Sequence, residues 1–296
     1  MPGEDGMSEV LYIMGSGRSG TTILEVLLAN SPGTFGAGEL THILRDGFRD
    51  DGICSCGRST SNCDVWSHVR RLGGWRREDL PEAIRLLRRI ESHARFPLTV
   101  AGLIDGETLR AYRSLNRRLL DAVAEVTGAR VIIDSSKYAG RALALSQCFP
   151  ERVRVLNVTR SPAGLLGAFR KPRRDEQKQK SMVGALLYHG YVLMSLNAAR
   201  RRLGPRSLDV RYDDLVSDPI ATIRRVGEWW KRDVSVTLRK LELGELFDVG
   251  HIVTGNRLRY QGRVRFDPSA ASVQPAGPIG RLVIRVMELY ESMLAR

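Results

Sequence analysis

The sequence predicts a single α/β domain over residues 1–296, with a parallel sheet flanked by helices on both faces. Three observations predict it. Short apolar, β-prone segments alternate with segments of helical spacing, the first such segment ends in a glycine-rich turn, and no repeat or interdomain linker interrupts the chain. Strands that alternate with helices indicate a parallel sheet covered on both sides. A chain of this length can bury a large core as one domain.

The predicted elements follow in chain order. Apolar runs predict strands over residues 10–14, 130–134, 153–158 and 207–212. Helical spacing and capping signals predict helices over residues 22–30, 80–94, 107–127, 138–148, 162–170, 182–202, 219–230 and 279–294. Three further segments lack periodicity and are expected to be irregular: an insertion over residues 45–77, a charged linker over residues 172–180, and a loop over residues 250–278.

The charge of the chain is unusual, at +13 from 46 basic and 33 acidic residues. This balance suits a polyanionic ligand, a nucleic acid or an acidic membrane surface, and does not choose among them. Nearly all the basic residues are arginines, so part of the charge is also consistent with an ordinary solvated face. Residues 1–8 are polar, and His189 interrupts the longest apolar run, residues 182–196. We therefore expect a cytoplasmic protein without integral membrane association, whose four cysteines are reduced.

The turn after the first strand is the most informative segment. Residues 15–22, here called the glycine loop, read GSGRSGTT and lie between a predicted strand and a predicted helix. Glycines permit a tight turn that brings backbone N–H groups close to an anion, and the helix N-terminus adds its positive dipole end. The hydroxyls of Thr21 and Thr22 can donate to the same oxygens. The segment predicts a P-loop-like sheet with an anion site at its edge.

A Walker A loop is the nearest alternative for this segment, because Gly15 and Gly20 have its spacing. Thr21 stands where that motif requires lysine, and a kinase needs this lysine on the β- and γ-phosphates. The cation lies instead at Arg18, inside the loop. This suits a ligand with a sulfuryl group on a 5′-phosphate and no third phosphate.

With these residues in place, the sequence resembles the sulfotransferases that use 3′-phosphoadenosine-5′-phosphosulfate (PAPS), in their bacterial form. The glycine loop is similar to the 5′-phosphosulfate loop of that family. The resemblance implies that PAPS is the donor, with Gly15, Gly17, Arg18, Ser19, Gly20, Thr21 and Thr22 binding it. Arg18 also has a catalytic role by this resemblance, and no metal is required.

The resemblance extends to the 3′-phosphate and adenine sides of the donor. Residues 153–169 look like the family's second motif and imply that Arg160 contacts the 3′-phosphate. The family usually has serine eight residues later, where this chain has Ala168. Residues 210–216 resemble the segment beside the adenine, with Tyr212. Residues 251–259, here called the late loop, resemble the basic loop over the phosphates, with Arg257 the first choice as ligand, followed by Arg259 and Asn256.

Two residues are candidates for the base that removes the acceptor proton. Glu39 lies as far after Arg18 as the catalytic glutamate lies after the loop arginine in tyrosylprotein sulfotransferases, and it is the first choice. His42 is the rival, because histidine is the base in the cytosolic branch of the family. By the same resemblance Lys137 contacts the bridging oxygen or the sulfonate. It follows a strand, at the carboxyl edge where ligands bind in open α/β sheets. Ser135, Ser136 and Thr41 are expected near the acceptor.

Three cysteines of the predicted insertion form a separate pattern. Cys54, Cys56 and Cys63, with His68 nearby, suggest zinc, but their spacing is not that of paired C-x-x-C knuckles and no fourth ligand is obvious. We interpret this stretch as an element on the acceptor side, and expect no metal.

The sequence therefore predicts a sulfotransferase that moves a sulfuryl group from PAPS to a hydroxyl or amine. Residues 40–120 and 172–203 are expected to shape the acceptor pocket, with helical segments over residues 78–128 and 180–203. They are compatible with a small molecule, glycan, lipid or peptide acceptor, and we expect no nucleic acid partner. The alternatives are a P-loop nucleotide or small-molecule kinase, which Thr21 disfavours, and a non-catalytic anion-binding module, which leaves the glycine loop without a chemical role.

Overall fold

A computed structural model of the chain describes residues 8–170, 182–255, 257–271 and 277–295. The charged linker predicted over residues 172–180 and the predicted ligand Asn256 lie outside the described residues.

A five-stranded parallel sheet forms the centre of the molecule. Its spatial order is β2-β3-β1-β4-β5. A second, two-stranded antiparallel sheet pairs β6 with β7. The strands are β1 (Glu9–Gly15), β2 (Thr34–Gly36), β3 (Val131–Lys137), β4 (Val153–Thr159), β5 (Ser207–Arg211), β6 (Leu246–Asp248) and β7 (Arg263–Arg265).

Thirteen α-helices are present in the described part of the chain. They are α1 (Thr21–Ala29), α2 (Leu40–His42), α3 (Trp66–Leu72), α4 (Leu80–Glu91), α5 (Phe96–Ala101), α6 (Gly106–Thr127), α7 (Ala139–Cys148), α8 (Pro162–Arg170), α9 (Met182–Leu203), α10 (Tyr212–Ser217), α11 (Pro219–Trp230), α12 (Ser235–Leu243) and α13 (Pro278–Ala295). Short π- and 3₁₀-helical segments lie at Ile43–Arg49, His93–Arg95, Gly204–Arg206, Arg257–Gln261 and Pro268–Ala271.

Successive residues of β1 point to opposite faces of the sheet, as the pleat of a strand requires. Leu11 and Ile13 pack in the core formed with α1 and α11, whereas Tyr12 and Met14 pack in the core formed with α4, α6, α7 and α9. All four side chains are fully buried. The predicted fold class, a parallel sheet with helices on both faces, is confirmed.

Two predicted irregular segments contain more structure than the sequence indicated. The predicted insertion, residues 45–77, overlaps the π-helical turn Ile43–Arg49 and contains α3. The predicted loop, residues 250–278, contains β7 and two 3₁₀ turns. Elements of three to seven residues are too short to establish a period, so packing against the rest of the molecule determines them. The same reason accounts for β2, which the sequence analysis missed.

Candidate active site

A cleft of about 900 Å³ opens where β1, β3, β4 and β5 end. Parallel strands place their carboxyl ends at one edge, and this edge is where open α/β sheets bind ligands. Residues that the sequence analysis singled out form much of its lining: Gly15, Gly17, Arg18, Gly20, Thr21, Thr22, Glu39, His42, Ser136, Lys137, Arg160, Ala168, Tyr212 and Arg259. The fold thus brings together side chains that are far apart in sequence.

The glycine loop turns sharply at two residues with positive φ, Arg18 at 74° and Gly20 at 89°. A Cβ at Gly20 would collide with the ring of Tyr212, so only glycine fits there. Gly20 caps α1 without a side-chain hydrogen bond, and the first turn of α1 carries no acidic residue. The N–H groups of this turn therefore face the cleft with a positive dipole end and suit an anion.

Other residues of the loop have different roles. The hydroxyl of Ser19 donates to the carbonyl of Ser16 at 2.8 Å, within the turn itself. The N–H of Gly17 donates to the Tyr188 hydroxyl at 3.4 Å, which joins the loop to α9. Ser19 therefore shapes the turn, and Tyr188 was not identified as a site residue from the sequence.

Lys137 and Glu39 form an ion pair in the cleft, with Lys137 Nζ donating to Glu39 Oε1. Lys137 ends β3 after an irregularity in the pairing with β1, and its φ is +74°. A lysine in this backbone region costs about 1 kcal/mol or more. The conformation directs its amine toward Glu39. Both side chains are mostly covered, with 21% of Lys137 and 13% of Glu39 exposed.

His42 lies on the other side of the same carboxylate. Its Nε2 is 3.9 Å from Glu39 Oε2, and its ring meets that of Tyr138 edge-on with centroids 5.9 Å apart. Burial lowers the pKa of His42 from its ordinary value of 6.5, although the charge of Glu39 acts in the opposite direction. Burial therefore favours the neutral imidazole of His42 and makes it a weaker base than an exposed histidine.

A buried charge network fixes the backbone on which Glu39 and Lys137 stand. Arg141, fully buried on α7, donates from Nε to Asp134 at 2.7 Å and from Nη1 to Glu91. Asp134 Oδ1 accepts from the N–H of Ser136 at 3.0 Å and from the N–H of Leu40 at 3.4 Å. Arg141 thus links β3 with the start of α2. A lone arginine in the otherwise small and apolar run of residues 139–145 is the sequence signal of this network.

The three residues expected near the acceptor are mostly engaged inside the protein. The Ser135 hydroxyl donates to Glu25 at 2.5 Å, and that of Thr41 donates to Glu91. Neither residue is among the described residues that line the cleft. Ser136 does line it, but its hydroxyl donates to Asp134 and accepts from the N–H of Thr41 at 3.0 Å. The hydroxyls of Ser135 and Thr41 are thus bonded to buried carboxylates, and their contact with an acceptor stays a prediction.

Glu25 is a second buried carboxyl close to the site. It is fully buried on α1, and its Oε1 accepts from the N–H of Gly38 at 2.6 Å. Burial raises the pKa of Glu25 from 4.5 to about 7, although the hydrogen bonds from Ser135 and Gly38 oppose the shift. Glu25 ties α1 to the segment before Glu39.

Arg160 follows β4 and lies beside the glycine loop. Its Nη1 donates to the Arg18 carbonyl at 3.1 Å, and its guanidinium lies over the Tyr212 ring at 4.7 Å from the centroid. Burial lowers the pKa of Arg160 from its usual value. Asp213 accepts from both the N–H and the hydroxyl of Ser161, each at 2.7 Å, so it fixes the turn that follows Arg160.

The two late-loop arginines differ in their positions relative to the cleft. Arg257 is exposed and is not among the described residues of the cleft lining, whereas Arg259 lines the cleft. Arg259 donates to the carbonyl of Val253, and its guanidinium lies 4.5 Å from the Tyr260 ring centroid. Arg259 thus stabilises the late loop and also presents positive charge to the cleft.

Aromatic side chains form one wall of the cleft. His93 packs against Tyr138 with ring centroids 4.8 Å apart and against Tyr188 at 6.1 Å. All three line the cleft. Aromatic residues scattered between positions 93 and 188 have no common sequence pattern, and so they were not predicted.

Comparison with known proteins places these features in a family. Residues 11–235, about three quarters of the chain, match the family model described as "Sulfotransferase family". Among curated proteins, none matches the sequence significantly.

Solved structures resemble the fold at low identity. The sulfotransferase domain from the curacin biosynthetic pathway has a TM-score of 0.51 and 16% identity, with 95% of this chain and 98% of that chain covered. The sulfotransferase domain of the Synechococcus PCC 7002 olefin synthase has a TM-score of 0.49 and 19% identity, over 98% and 97% of the two chains. At 16% identity, the similarity to the curacin-pathway domain shows the fold alone.

The described helices include none with the length and apolar character that crossing a bilayer requires.

Proposed function

The chain belongs to the sulfotransferase family, and from this premise we propose that it transfers the sulfuryl group of PAPS to a hydroxyl or amine of an acceptor. The observation that carries the proposal is the convergence of the glycine loop, Lys137 and Glu39 in one cleft. An anion cradle, a cation and a carboxylate are the three groups that sulfuryl transfer needs.

The glycine loop fits the 5′ end of such a donor. The N–H groups at the start of α1 are not capped by a side chain, and Thr21 and Thr22 add hydroxyls on the cleft side. Arg18 supplies a fixed positive charge, and a guanidinium binds two oxygens of a phosphate or sulfonate at once. These groups hold the phosphosulfate, and the loop has no lysine for a third phosphate.

Arg160 and Tyr212 fit the adenosine 3′-phosphate side. Arg160 is held beside the loop by the Arg18 carbonyl and lies against the Tyr212 ring. A cation held in place binds an anion without first losing conformational freedom. Ala168 lines the same region. Arg160 therefore carries much of the 3′-phosphate recognition that a serine at position 168 would otherwise share.

The chemistry divides between Glu39 and Lys137. PAPS supplies an activated sulfuryl group whose S–O bond to the 5′-phosphate breaks while the acceptor oxygen or nitrogen forms a new bond to sulfur. Glu39 accepts the proton of the acceptor, and Lys137 donates a hydrogen bond to the oxygen that leaves. Positioning and charge stabilisation then supply most of the rate, as in phosphoryl transfer.

The ion pair between Glu39 and Lys137 has a consequence for the order of events. Lys137 neutralises Glu39 while the two are paired. An anionic donor in the glycine loop attracts the lysine amine toward its own oxygens, and this releases the carboxylate to act as a base. Donor binding thus prepares the base before the acceptor reacts.

The acceptor side is formed by the wall of His93, Tyr138 and Tyr188. Their rings are suited to flat or partly apolar groups, and their polar atoms can orient a hydroxyl. We propose an acceptor that carries its hydroxyl or amine on an aromatic or apolar framework. The reaction requires no metal at the reacting atoms.

The test is a binding and transfer experiment on the full-length protein. We expect adenosine 3′,5′-bisphosphate to raise the melting temperature without added magnesium. Radiolabelled PAPS should then transfer label to at least one member of an acceptor panel of phenols, alkyl alcohols, glycans and amines. Lys137→Ala and Arg18→Ala should abolish transfer.

Matched controls make the result specific. Lys231→Ala and Arg154→Ala remove basic residues that are not among the described residues of the cleft lining, and they should leave transfer unchanged. Stabilisation by magnesium-ATP with none by adenosine 3′,5′-bisphosphate would favour the kinase alternative. Salt-sensitive binding of nucleic acid or anionic vesicles without transfer would favour a non-catalytic module.

A further inference from the structure

Three cysteines and one histidine that the proposed chemistry does not use converge beside the cleft. The cysteine cluster consists of Cys54, Cys56, Cys63 and His251, and its four ligand atoms all lie within 4.8 Å of one another. His251 Nδ1 is 3.2 Å from Cys63 Sγ and 3.7 Å from Cys54 Sγ. His251 is the fourth ligand that the sequence analysis did not find, because it lies 188 residues beyond Cys63.

We propose that Cys54, Cys56, Cys63 and His251 bind one Zn²⁺ ion as a structural site. Three thiolates and one imidazole nitrogen form a common closed tetrahedral zinc site. With Zn–S near 2.3 Å and Zn–N near 2.0 Å, tetrahedral ligands lie roughly 3.5 to 3.8 Å apart. The distances in the cluster bracket these values, so the ion requires only small side-chain movements.

The local backbone supports thiolate ligands. Cys54 begins a tight turn in which the N–H of Gly57 donates to its carbonyl at 2.9 Å, and Gly57 has a φ of +84°. The N–H groups of Val65 and Trp66 point at Cys63 Sγ. Backbone N–H donors around the sulfurs stabilise their negative charge, as hydrogen bonds to metal ligands do elsewhere. Three cysteines that merely filled the core would not need this turn.

Two of the four residues of the cluster are buried, and Cys56 and His251 keep some exposed surface. Cys54 and Cys63 have no exposed surface, and neither has Trp66. The indole N–H of Trp66 donates to the His251 carbonyl at 2.8 Å, which fixes the backbone of the histidine. Ligands that the fold already holds close together bind a metal more tightly than mobile ones, since little conformational freedom is lost on binding.

The proposed ion joins two segments that shape the active site. Ser55 exchanges hydrogen bonds with Ile252: its N–H donates to the Ile252 carbonyl, and its hydroxyl accepts from the Ile252 N–H, both at 2.8 Å. Two residues later, the Thr254 hydroxyl donates to the Glu39 carbonyl at 3.1 Å. The ion therefore anchors the start of the late loop above Glu39. Its role is to hold this loop in place, and it takes no part in bond breaking.

The experiment measures the metal directly in the full-length protein. We expect elemental analysis after dialysis to find about one zinc per chain. Co²⁺ exchanged into the wild-type protein should give the visible bands of a tetrahedral site and strong thiolate charge-transfer absorption. The Co²⁺ measurement needs no variant, so a folding defect cannot obscure it.

Variants then assign the ligands. Cys63→Ser and His251→Ala should each reduce the bound zinc at least tenfold. His68→Ala and Cys148→Ser are matched controls and should keep it, because His68 contacts the Asp64 carbonyl and Cys148 lies outside the cluster. Zinc-loaded protein should also resist trypsin at Arg257 and Arg259 better than chelated protein does.

Three outcomes would overturn the proposal: a wild-type protein that stays free of metal after incubation with Zn²⁺, a Cys54–Cys63 disulfide in the native protein, or zinc that is lost in His68→Ala and kept in His251→Ala. None of these measurements depends on PAPS or on an acceptor. Failure of the zinc site is thus distinguishable from failure of the proposed reaction.

Discussion

Lys137 Nζ donates a hydrogen bond to Glu39 Oε1, although the two residues are 98 positions apart. The pairing depends on the left-handed backbone of Lys137 and on the buried contact between Asp134 and the N–H of Leu40. The relationship brings a carboxylate that follows α1 and β2 next to a lysine at the end of β3, as the proposed reaction requires.

Glu39→Gln should lower the transfer rate by roughly 10² to 10⁴, the usual contribution of a positioned general base. The amide keeps the size of the side chain but cannot accept the acceptor proton. Binding of adenosine 3′,5′-bisphosphate should be retained, as measured by thermal shift. The rate is measured with radiolabelled PAPS and the acceptor identified by the panel.

His42→Asn is the comparison that assigns the base. His42 Nε2 lies 3.9 Å from Glu39 Oε2, and burial lowers the pKa of His42, so His42 is suited to a supporting role. We expect its loss to reduce the rate by about tenfold or less. A larger loss in His42→Asn than in Glu39→Gln would transfer the role of base to the histidine.

Arg160→Ala should weaken the binding of adenosine 3′,5′-bisphosphate by about 10- to 100-fold, which corresponds to the loss of a hydrogen bond to a charged group. The affinity for adenosine 5′-monophosphate, which has no 3′-phosphate, should fall less. Arg154→Ala is the matched control, because Arg154 lies on β4, the strand that Arg160 follows, but its guanidinium lies over the Trp229 ring at 5.8 Å from the centroid. Isothermal titration calorimetry measures the affinity of the wild-type protein and of both variants for each nucleotide. Equal losses for both nucleotides would mean that Arg160 only supports the glycine loop.

Ala168→Ser should increase the affinity for adenosine 3′,5′-bisphosphate by roughly fivefold, which corresponds to about 1 kcal/mol for one added hydrogen bond. Ala168 lines the same cleft as Arg160, and the prediction assumes that the 3′-phosphate lies within reach of a serine hydroxyl there. Affinity for adenosine 5′-monophosphate should not change. Unchanged affinity for both nucleotides would place the 3′-phosphate away from α8.

Sequence reasoning predicted the fold class, which is confirmed, and it singled out residues that meet in one cleft, because both depend on local patterns. The run of residues 10–22 encodes a strand, a turn and a helix in one continuous segment, and Arg160 directly follows an apolar strand. Such features are read without knowledge of distant contacts.

The remaining features depend on long-range packing that no local pattern encodes. His251 meets Cys63 only because the late loop folds back on the predicted insertion, and Arg141 reaches Glu91 across 50 residues. Ser135 looked like a site residue from its position after a strand, but the pleat of β3 turns its hydroxyl to Glu25. One residue of register decides which face a strand side chain occupies.

Arg141→Met should destabilise the protein by about 3 to 5 kcal/mol, because it leaves the carboxylates of Asp134 and Glu91 buried without their cation. Urea denaturation measures the loss. Arg117→Met is the matched control: Arg117 and Asp121 form an exposed pair at 3.6 Å on α6, which contributes less than about 1 kcal/mol. Similar losses in the two variants would show that the buried network is not what stabilises this region.

Glu25→Gln should change how stability depends on pH. The folded protein holds the proton of Glu25 up to about pH 7, whereas the unfolded chain releases it near 4.5. Between these values the folded state binds more protons, so the Glu25 contribution to the free energy of unfolding falls as pH rises. The loss is complete above pH 7 and amounts to at most about 3 kcal/mol.

Glutamine has no charge to bury, and it keeps an acceptor for the N–H of Gly38. Relative to wild type, Glu25→Gln should therefore gain stability from pH 5 to pH 8 in urea denaturation. A difference between the two proteins that does not vary with pH would show that Glu25 is ionised in the folded state throughout this range.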